Sequence, residues 1–328
     1  MVRFIRIVLI TTILAVGLAL GAFLALRSLY NRPGPGQMDQ VIIVEKKSTL
    51  RQVARLMEQK RIIKNAELFL ATVRLFNANN VIQAGEYNIP ARESMKVIFG
   101  RLQSGDVVAH KVTIVEGMSA IQVYDRLMAN DILTGTIDIP EEGSTLPQTY
   151  RFYRGESRKN LLNKMREAMN EALSTAWESR DRSIMLKNKR EVLILASIIE
   201  KETARKRELP VIAGVYYNRL RQNMRLQADP TVIYPVTKGL PIRRRILKSE
   251  LRDVNPYNTY VIYGLPKGPI CNPSARALVA ATHPEKTDAI FFVADGRGGH
   301  RFAKTLKEHN SNVNRWRSLR AQKDLEKK

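Results

Sequence analysis

Residues 191 to 203 read EVLILASIIEKET, and this stretch decides the centre of the fold. Seven of its first nine residues are aliphatic, and they cover the whole circumference of a helix. A helix that is apolar on every side is typical of a buried element rather than of a one-sided surface helix. The sequence therefore predicts a core helix that ends near Thr203.

Glu200 follows the apolar run and lies at the boundary between core and solvent. Burial and the negative end of the helix dipole both disfavour the charged form of a carboxyl group. A carboxyl group that keeps its proton near neutral pH can act as a general acid. The alternative is that Glu200 is an exposed residue with no special role. Glu202 competes with it, but the two positions are about 200° apart on a helix, so the two carboxylates are predicted to face different directions.

The charge of the chain is unusual for a globular protein. Its 328 residues suffice for two or more domains, and 54 Lys and Arg oppose 31 Asp and Glu, which leaves a net charge of +23. Such a balance favours polyanionic partners, whether nucleic acid, anionic lipid or an acidic cell-wall polymer. Charge alone does not choose among them.

Metal chemistry has no support in the sequence. The single cysteine, Cys271, excludes an intramolecular disulfide and any Cys-based zinc site. The four histidines, His110, His283, His300 and His309, have neither HExxH nor HxH spacing. We therefore expect no metal and no cofactor.

The N-terminus predicts a membrane anchor. Residues Ile7 to Leu26 form 20 uncharged, mostly apolar residues between flanking arginines, and this length spans a bilayer. A cleavable signal peptide has a shorter apolar region of about 7–15 residues, so an uncleaved anchor is preferred and cleavage is the alternative. Because a short basic tail stays inside most easily, we expect a cytoplasmic N-terminus with the bulk of the chain on the other side. That orientation argues against nucleic acid as the natural polyanion.

Two segments resemble each other at an offset of 71 residues: VIIVEKKSTLRQVARLMEQKRII from Val41 and VTIVEGMSAIQVYDRLMANDIL from Val112. Each predicts a short strand, a turn and a Ser-capped amphipathic helix. Between them, a strand within 82–89 and a helix over 94–102 are predicted. Strand, helix, helix, strand is the layout of a small carbohydrate-binding module, and also of many other small α+β units.

The remaining chain predicts an α+β fold. Residues 157–189 are strongly helical, and the stretch after the apolar helix is rich in loops with Tyr, Asn and Pro, where sites tend to be built. Near the C-terminus, the Gly-rich segment 295–299 lacks phosphate-loop spacing and is predicted to be a hairpin turn. Short strands separated by helices of different lengths, without a long βαβ succession, favour α+β over a parallel sheet.

Seven ordered motifs give a specific resemblance to a known family. They are ASIIEKET from Ala196, YNRL from Tyr217, MRLQADPTVIY from Met224, YNTY from Tyr257, GLPKGPICNP from Gly264, THPEK from Thr282 and FVADGRGGHRF from Phe292. Together they resemble the endolytic murein transglycosylases, also called MltG or YceG-like proteins, and the resemblance covers nearly the whole chain.

The resemblance implies a lytic transglycosylase that cleaves the MurNAc–GlcNAc linkage in nascent peptidoglycan and leaves a 1,6-anhydro-MurNAc end, which terminates strand elongation. It implies peptidoglycan strands and cell-wall synthases (penicillin-binding proteins) as partners, and a single-pass location in the bacterial inner membrane with a periplasmic bulk. The family's catalytic Glu falls on Glu200. The implied substrate-binding residues are Gln227, Asp229, Thr231, Tyr234, Asn258, Tyr260, Asn272 and His300.

The implied domain order runs from anchor to enzyme. Residues 1–29 form a cytoplasmic tail and anchor, 30–40 a Pro/Gly linker, 41–110 a LysM-like module, and 111–328 the catalytic domain. That domain includes the second repeat at 112–133 and a catalytic core over about 186–328.

The chain departs from the family pattern in three places. The common EGWxxPDTY motif reads EEGSTLPQTYRF from Glu141, with Gln148 in place of Asp and no aromatic residue after Gly143. GLPPG has become GLPKG at Lys267, and NPG has become NPS at Ser274. The last two are expected to be tolerated as turn variants.

The chemistry of the reaction needs only one carboxyl group. The same Glu can protonate the glycosidic oxygen and then accept the proton of the substrate's own C6 hydroxyl. Glycosidases instead use a carboxylate pair about 5–9.5 Å apart. If Asp229 or Glu202 were such a partner, hydrolysis would result.

Gln227 and Asp229 are alternatively turn and cap residues, and Asn258 is alternatively a residue that braces its loop. A non-catalytic scaffold for synthases and nonspecific polyanion binding are the other two functional alternatives.

Overall fold

The structure, a computed structural model, describes residues 1–242 and 244–325. That part of the chain has the mixed α+β composition that the sequence predicts. Its helices are α1 (Val2–Asn31), α2 (Leu50–Gln59), α3 (Ala66–Phe76), α4 (Met95–Ser104), α5 (Ala120–Met128), α6 (Arg158–Glu178), α7 (Lys189–Glu202), α8 (Leu209–Arg221), α9 (Asp229–Thr237), α10 (Lys248–Arg252), α11 (Ala275–Thr282) and α12 (Leu306–Leu325), with a 3₁₀ turn at Lys206–Glu208.

The strands form three separate two-stranded sheets. They are β1 (Gln40–Val44) with β2 (Gly85–Ile89), β3 (Ala109–Thr113) with β4 (Thr149–Tyr153), and β5 (Phe291–Ala294) with β6 (His300–Ala303). The first and last pairs are antiparallel. Since the described residues contain no larger sheet, the predicted absence of a βαβ succession holds in this part of the chain.

The chain divides into two compact units. The first comprises residues 1–110 and 152–155, and the second comprises residues 111–151 and 156–328. Each unit has its own apolar core, one built around α2, α3 and α4 and the other around α6, α7, α8 and α11.

Helix α1 is long and apolar enough to cross a membrane. Residues Arg3 to Asn31 have a mean hydropathy of 2.6 over the best window, none of which is buried in the protein. The C-terminal part of α1 packs against α3, where the rings of Phe23 and Tyr30 each lie 5.4 Å from that of Phe76, and Tyr30 is buried. A single-pass anchor is compatible with this helix.

The first unit contains the predicted strand and helix between the repeats. Helix α4 begins after Ser94, whose side chain accepts a hydrogen bond from Val97 N, and it ends at Gly105 in the left-handed conformation. Helix α3 was not predicted, although Asn65 caps it through Leu68 N and its apolar residues Phe69 and Val73 are buried.

The repeat is real, but the correct offset is 70 residues and not the predicted 71. The turn residue with positive φ is Lys47 in the first unit and Gly117 in the second. The helix caps are Thr49 and Ser119, so the predicted cap at Ser48 was wrong. Three kinds of residue match at this offset: the capping-box glutamines, buried helix residues, and buried residues in or next to the strands. The pairs are Gln52 with Gln122, Val53 with Val123, Met57 with Leu127, Ile42 with Val112, and Val44 with Ile114.

The second unit is organised around the predicted core helix. Helix α7 begins after Asn188, whose side chain accepts from Glu191 N, and its residues 194–199 are all buried. It packs against α6, α8 and α11. Thr203 then takes an extended conformation, with φ −142° and ψ 140°, so the helix ends where the sequence predicts.

The Gly-rich segment 295–299 forms the predicted hairpin turn, because Ala294 faces His300 across β5 and β6. Asp295 holds the turn by accepting from Arg297 N at 2.7 Å and Gly299 N at 2.9 Å. The THPEK segment lies close to α8, where a Cβ on Gly214 would be 2.3 Å from the carbonyl oxygen of Glu285.

Candidate active site

Glu200 is half-buried in the last turn of α7, at the boundary between core and solvent. Its Oε2 accepts two hydrogen bonds from Ser274, one from the backbone N at 2.8 Å and one from Oγ at 2.6 Å. Ser274 is the N-cap of α11, and its Oγ also accepts from Ala277 N. The carboxyl group of Glu200 therefore joins the C-terminal end of one helix to the N-terminal end of another.

Only the first of these helix ends was predicted from the sequence to act on Glu200. The N-terminus of a helix favours a negative charge, and hydrogen bonds donated to a carboxylate stabilise it. The Ser274 hydroxyl can also accept a hydrogen bond once the carboxyl group is protonated. This contact therefore holds the side chain in both of the states that a general acid and base must pass through.

A cavity of about 350 Å³, here called the Glu200 cavity, opens beside the carboxyl group. Its walls include Glu116, Gly117, Glu200, Lys201, Glu202 and Ser274. Gly117 has φ +77°, and a Cβ there would lie 3.7 Å from Glu200 Cγ. The turn of the second repeat therefore closes against the predicted catalytic residue.

Glu202 also lines the Glu200 cavity, which the predicted separation of the two carboxylates did not anticipate. The helix ends at this residue, so the ideal helical geometry does not extend past it. Glu202 Oε1 accepts from Tyr216 Oη at 2.7 Å, and burial raises the pKa of Glu202 to about 7. Asp229 adds to this increase in the pKa of Glu202, whereas Arg219 opposes it.

Glu142 is a further site residue, and the sequence analysis missed it. Burial raises the pKa of Glu142 to about 7, against hydrogen bonds from Ala120 N, Tyr234 and Gly143 N and the charge of Lys201. The bond from Ala120 N is 2.9 Å long. Glu142 lies in the segment EEGSTLPQTYRF that was compared with the EGWxxPDTY motif, so the motif's Glu was the signal that could have found it.

A second cavity of about 440 Å³, here called the apolar cavity, adjoins the Glu200 cavity. The two share Val115, Glu116, Gly117 and Lys201 in their walls. Most of the other residues that line it are apolar, and they include Met118, Ile233, Leu240 and Ile270. Tyr234, a predicted substrate-binding residue, also lines the apolar cavity.

Three of the predicted substrate-binding residues are accessible near α9. Gln227 is exposed with φ +49°, and its backbone N donates to Thr259 O. Asp229 is exposed, and its Oδ1 accepts from Tyr260 Oη at 2.6 Å. Asp229 and Tyr260 are thus brought together, and the charge of Asp229 acts on Glu202.

Three others are fully buried and hold loops. Thr231 Oγ1 contacts Thr259 Oγ1 at 2.8 Å and donates to Ala228 O. Asn258 Nδ2 donates to three backbone carbonyls of residues 250–253. Asn272 Oδ1 accepts from Thr145 N and its Nδ2 donates to Met118 O. For Asn258, this geometry favours the brace that the sequence left open as an alternative.

His300 is connected to the end of α7 through Glu208. His300 Nδ1 lies 2.8 Å from Glu208 Oε2, which also accepts from Thr203 Oγ1 at 3.1 Å. The hairpin β5–β6 is thereby tied to the residue where α7 ends. Among the described residues, no group of three His, Cys, Asp or Glu side chains could hold a metal ion.

Comparisons with known proteins identify the family of this chain. A model of the YceG-like family matches residues 42–315. An endolytic murein transglycosylase of Bacillus subtilis is 31% identical over 92% of this chain and 92% of its own length. One of Streptococcus pneumoniae is 26% identical over 81% of this chain, which spans 56% of that longer relative.

A solved structure gives the same result. The crystal structure of a YceG-like protein from Listeria monocytogenes matches with a TM-score of 0.52 and 29% identity, over 83% of this chain and 98% of the other. The resemblance predicted from the seven motifs is confirmed, and this chain belongs to the YceG-like family.

Proposed function

We propose that the protein is a membrane-anchored lytic transglycosylase that cuts inside peptidoglycan strands, with Glu200 as its catalytic acid and base. The observation that carries the proposal is the carboxyl group of Glu200, which faces a cavity and is held by Ser274. The names of the curated relatives support the same activity and the same substrate.

In the proposed reaction, protonated Glu200 donates its proton to the glycosidic oxygen as the bond to C1 of MurNAc breaks. Positive charge develops on the sugar ring, and the ionised carboxylate stabilises it. The C6 hydroxyl then attacks C1, and Glu200 accepts the hydroxyl proton. A 1,6-anhydro end forms, no water is consumed, and Glu200 returns to its starting protonation state.

The other site residues divide into two groups in this proposal. Asp229, Tyr260 and Gln227 hold the glycan strand at the accessible end of α9, and Tyr234 contacts the substrate from the wall of the apolar cavity. The buried residues Thr231, Asn258 and Asn272, together with His300, hold the loops around Glu200. They act on the substrate through those loops.

We further propose the arrangement in the cell. Helix α1 anchors the chain in the bacterial inner membrane with a cytoplasmic N-terminus, and the rest of the chain lies in the periplasm. Residues 30–40 are the linker, 41–110 a LysM-like module and 111–328 the catalytic domain. Cell-wall synthases of the penicillin-binding class are the proposed partners, and cleavage of their nascent strands terminates elongation.

The decisive test is a product analysis. Full-length protein in detergent would be incubated with uncrosslinked glycan strands, and the products separated by mass spectrometry. Anhydro-ended fragments, lighter by one water than reducing-end fragments, are expected from the wild type and not from Glu200→Gln. Reducing ends would identify a hydrolase with a second catalytic carboxylate. If neither the wild type nor Glu200→Gln cleaved the strands, a non-catalytic scaffold would be the remaining function.

A further inference from the structure

We propose that the apolar cavity binds the lactyl group of MurNAc and the first residues of the stem peptide attached to it. This inference rests on the proposed function. It assigns a part of the substrate to a cavity that the catalytic step does not use.

The position of the apolar cavity supports the assignment. It shares Val115, Glu116, Gly117 and Lys201 with the Glu200 cavity, so a strand bound at Glu200 can extend a substituent directly into it. Its volume of about 440 Å³ is within the range of small-ligand sites and far larger than one acetyl group needs.

The walls are poorly suited to a sugar ring. The side chain of Gln122 already accepts from Ser119 N at 2.9 Å, and Tyr234 donates to Glu142. Glu116 is paired with Lys206 at 3.1 Å. Most of the remaining wall is apolar, so a pyranose ring buried here would leave several hydroxyls without partners, which is costly. The methyl groups of a lactyl group and of an alanine suit the same walls.

One positive charge remains at the edge of the apolar cavity. Lys201 Nζ donates to Gly117 O at 3.3 Å and forms no ion pair among the described residues. An ammonium group has three donors, so Lys201 can bind a further acceptor. A carboxylate of the anionic stem peptide is the complementary group.

The experiment compares two forms of the same uncrosslinked strands, one with intact stems and one from which an amidase has removed the peptide and left the lactyl group. Initial rates would give kcat/KM for each with full-length protein. We expect the wild type to prefer the peptide-bearing strands about tenfold, from burial of a methyl group and one exposed ion pair. Equal rates on both forms would overturn the inference and leave the proposed function intact. No cleavage of either form would instead contradict the proposed function.

A charge placed in the cavity gives a second, independent readout. Leu240 is 41% exposed and lines the apolar cavity, so Leu240→Asp should fold and repel the acidic stem. The preference for peptide-bearing strands should fall about tenfold in this variant. Val254 is 82% exposed and lines neither cavity, so Val254→Asp is the matched control with an unchanged preference. An unchanged preference in Leu240→Asp would contradict the inference.

Discussion

Ser274 shows how one residue connects two helices through one carboxyl group. It caps α11 and donates to Glu200 from both its backbone N and its hydroxyl. From the sequence, NPS was interpreted as a turn variant of NPG, because a turn motif does not show which distant side chain contacts it. The contact joins residues 74 positions apart, so only tertiary packing creates it.

Removing the proposed acid should abolish turnover. Glu200→Gln keeps the side-chain shape and an acceptor for Ser274 N but cannot donate or accept the catalytic proton. We expect kcat to fall by about 10²–10⁴ with little change in KM, measured as release of anhydro ends. Glu171→Gln, at an exposed position of α6, is the matched control. A variant with wild-type kcat would show that another group does the chemistry.

The Ser274 hydroxyl should matter for rate more than for substrate binding. Ser274→Ala removes the 2.6 Å bond to Glu200, and we expect kcat to fall about tenfold while KM stays constant. It also costs about 1 kcal/mol of stability through the lost cap. Ser274→Thr retains the hydroxyl and should recover both. If Thr restored the stability but not kcat, the hydroxyl would be only a cap.

At the scale of elements, the corrected repeat shows why register matters. The letters of the two repeats match best at an offset of 71, but the buried strand residues, the caps and the buried helix residues match at 70. A shift of one residue exchanges the two faces of a strand, so only the offset that buries the same face is structurally correct. Exposed residues such as Glu45 and Glu116 produced the misleading match.

Glu142 links α5, α9 and the loop that precedes β4, and it should make stability depend on pH. Burial raises its pKa from 4.5 to about 7, so between these values the unfolded chain binds fewer protons than the folded one. The free energy of unfolding therefore falls as the pH rises from 4.5 to 7, and it stays at the lower value above pH 7. Glu202 contributes in the same direction.

We therefore expect Glu142→Gln to be more stable than the wild type above pH 7, by up to about 3 kcal/mol, and similar near pH 4.5. The amide oxygen still accepts from Ala120 N. Urea unfolding of the full chain at several pH values measures the difference. The neighbouring Glu141 is exposed, and Glu141→Gln should change nothing at any pH. Parallel curves for the wild type and Glu142→Gln would contradict the assignment.

For the whole molecule, helix α1 should decide where the protein resides. Leu14 and Leu18 are 61% and 76% exposed in the middle of the helix, and an Arg at each costs about 3 kcal/mol of insertion free energy. The Leu14→Arg/Leu18→Arg protein should leave the carbonate-resistant membrane fraction. Leu75 and Leu306 are exposed leucines outside α1, and the same double change there should leave the protein in the membrane fraction. Retention of the first variant would show that another part of the chain holds the protein to the membrane.

The sequence by itself determined the local features of this protein. The apolar N-terminal helix, the core helix before Glu200, the hairpin at 295–299 and the α+β class all follow from hydrophobic patterning and turn chemistry, which act over a few residues. The motifs identified the family for a similar reason, because each motif is a continuous stretch of sequence that can be recognised without the fold. The sequence showed the repeat but not its structural register, because residue identity alone does not show which positions are buried.

Only the tertiary structure decided which side chains meet. It brought Ser274 to Glu200, Glu142 to Tyr234, and Glu202 into the cavity that Glu200 lines. It also buried Thr231, Asn258 and Asn272, which the motifs alone assigned to the substrate. The physical reason is the same in each case: burial, and the pKa values of Glu142 and Glu202 that follow from it, depend on residues far apart in the chain that packing places side by side.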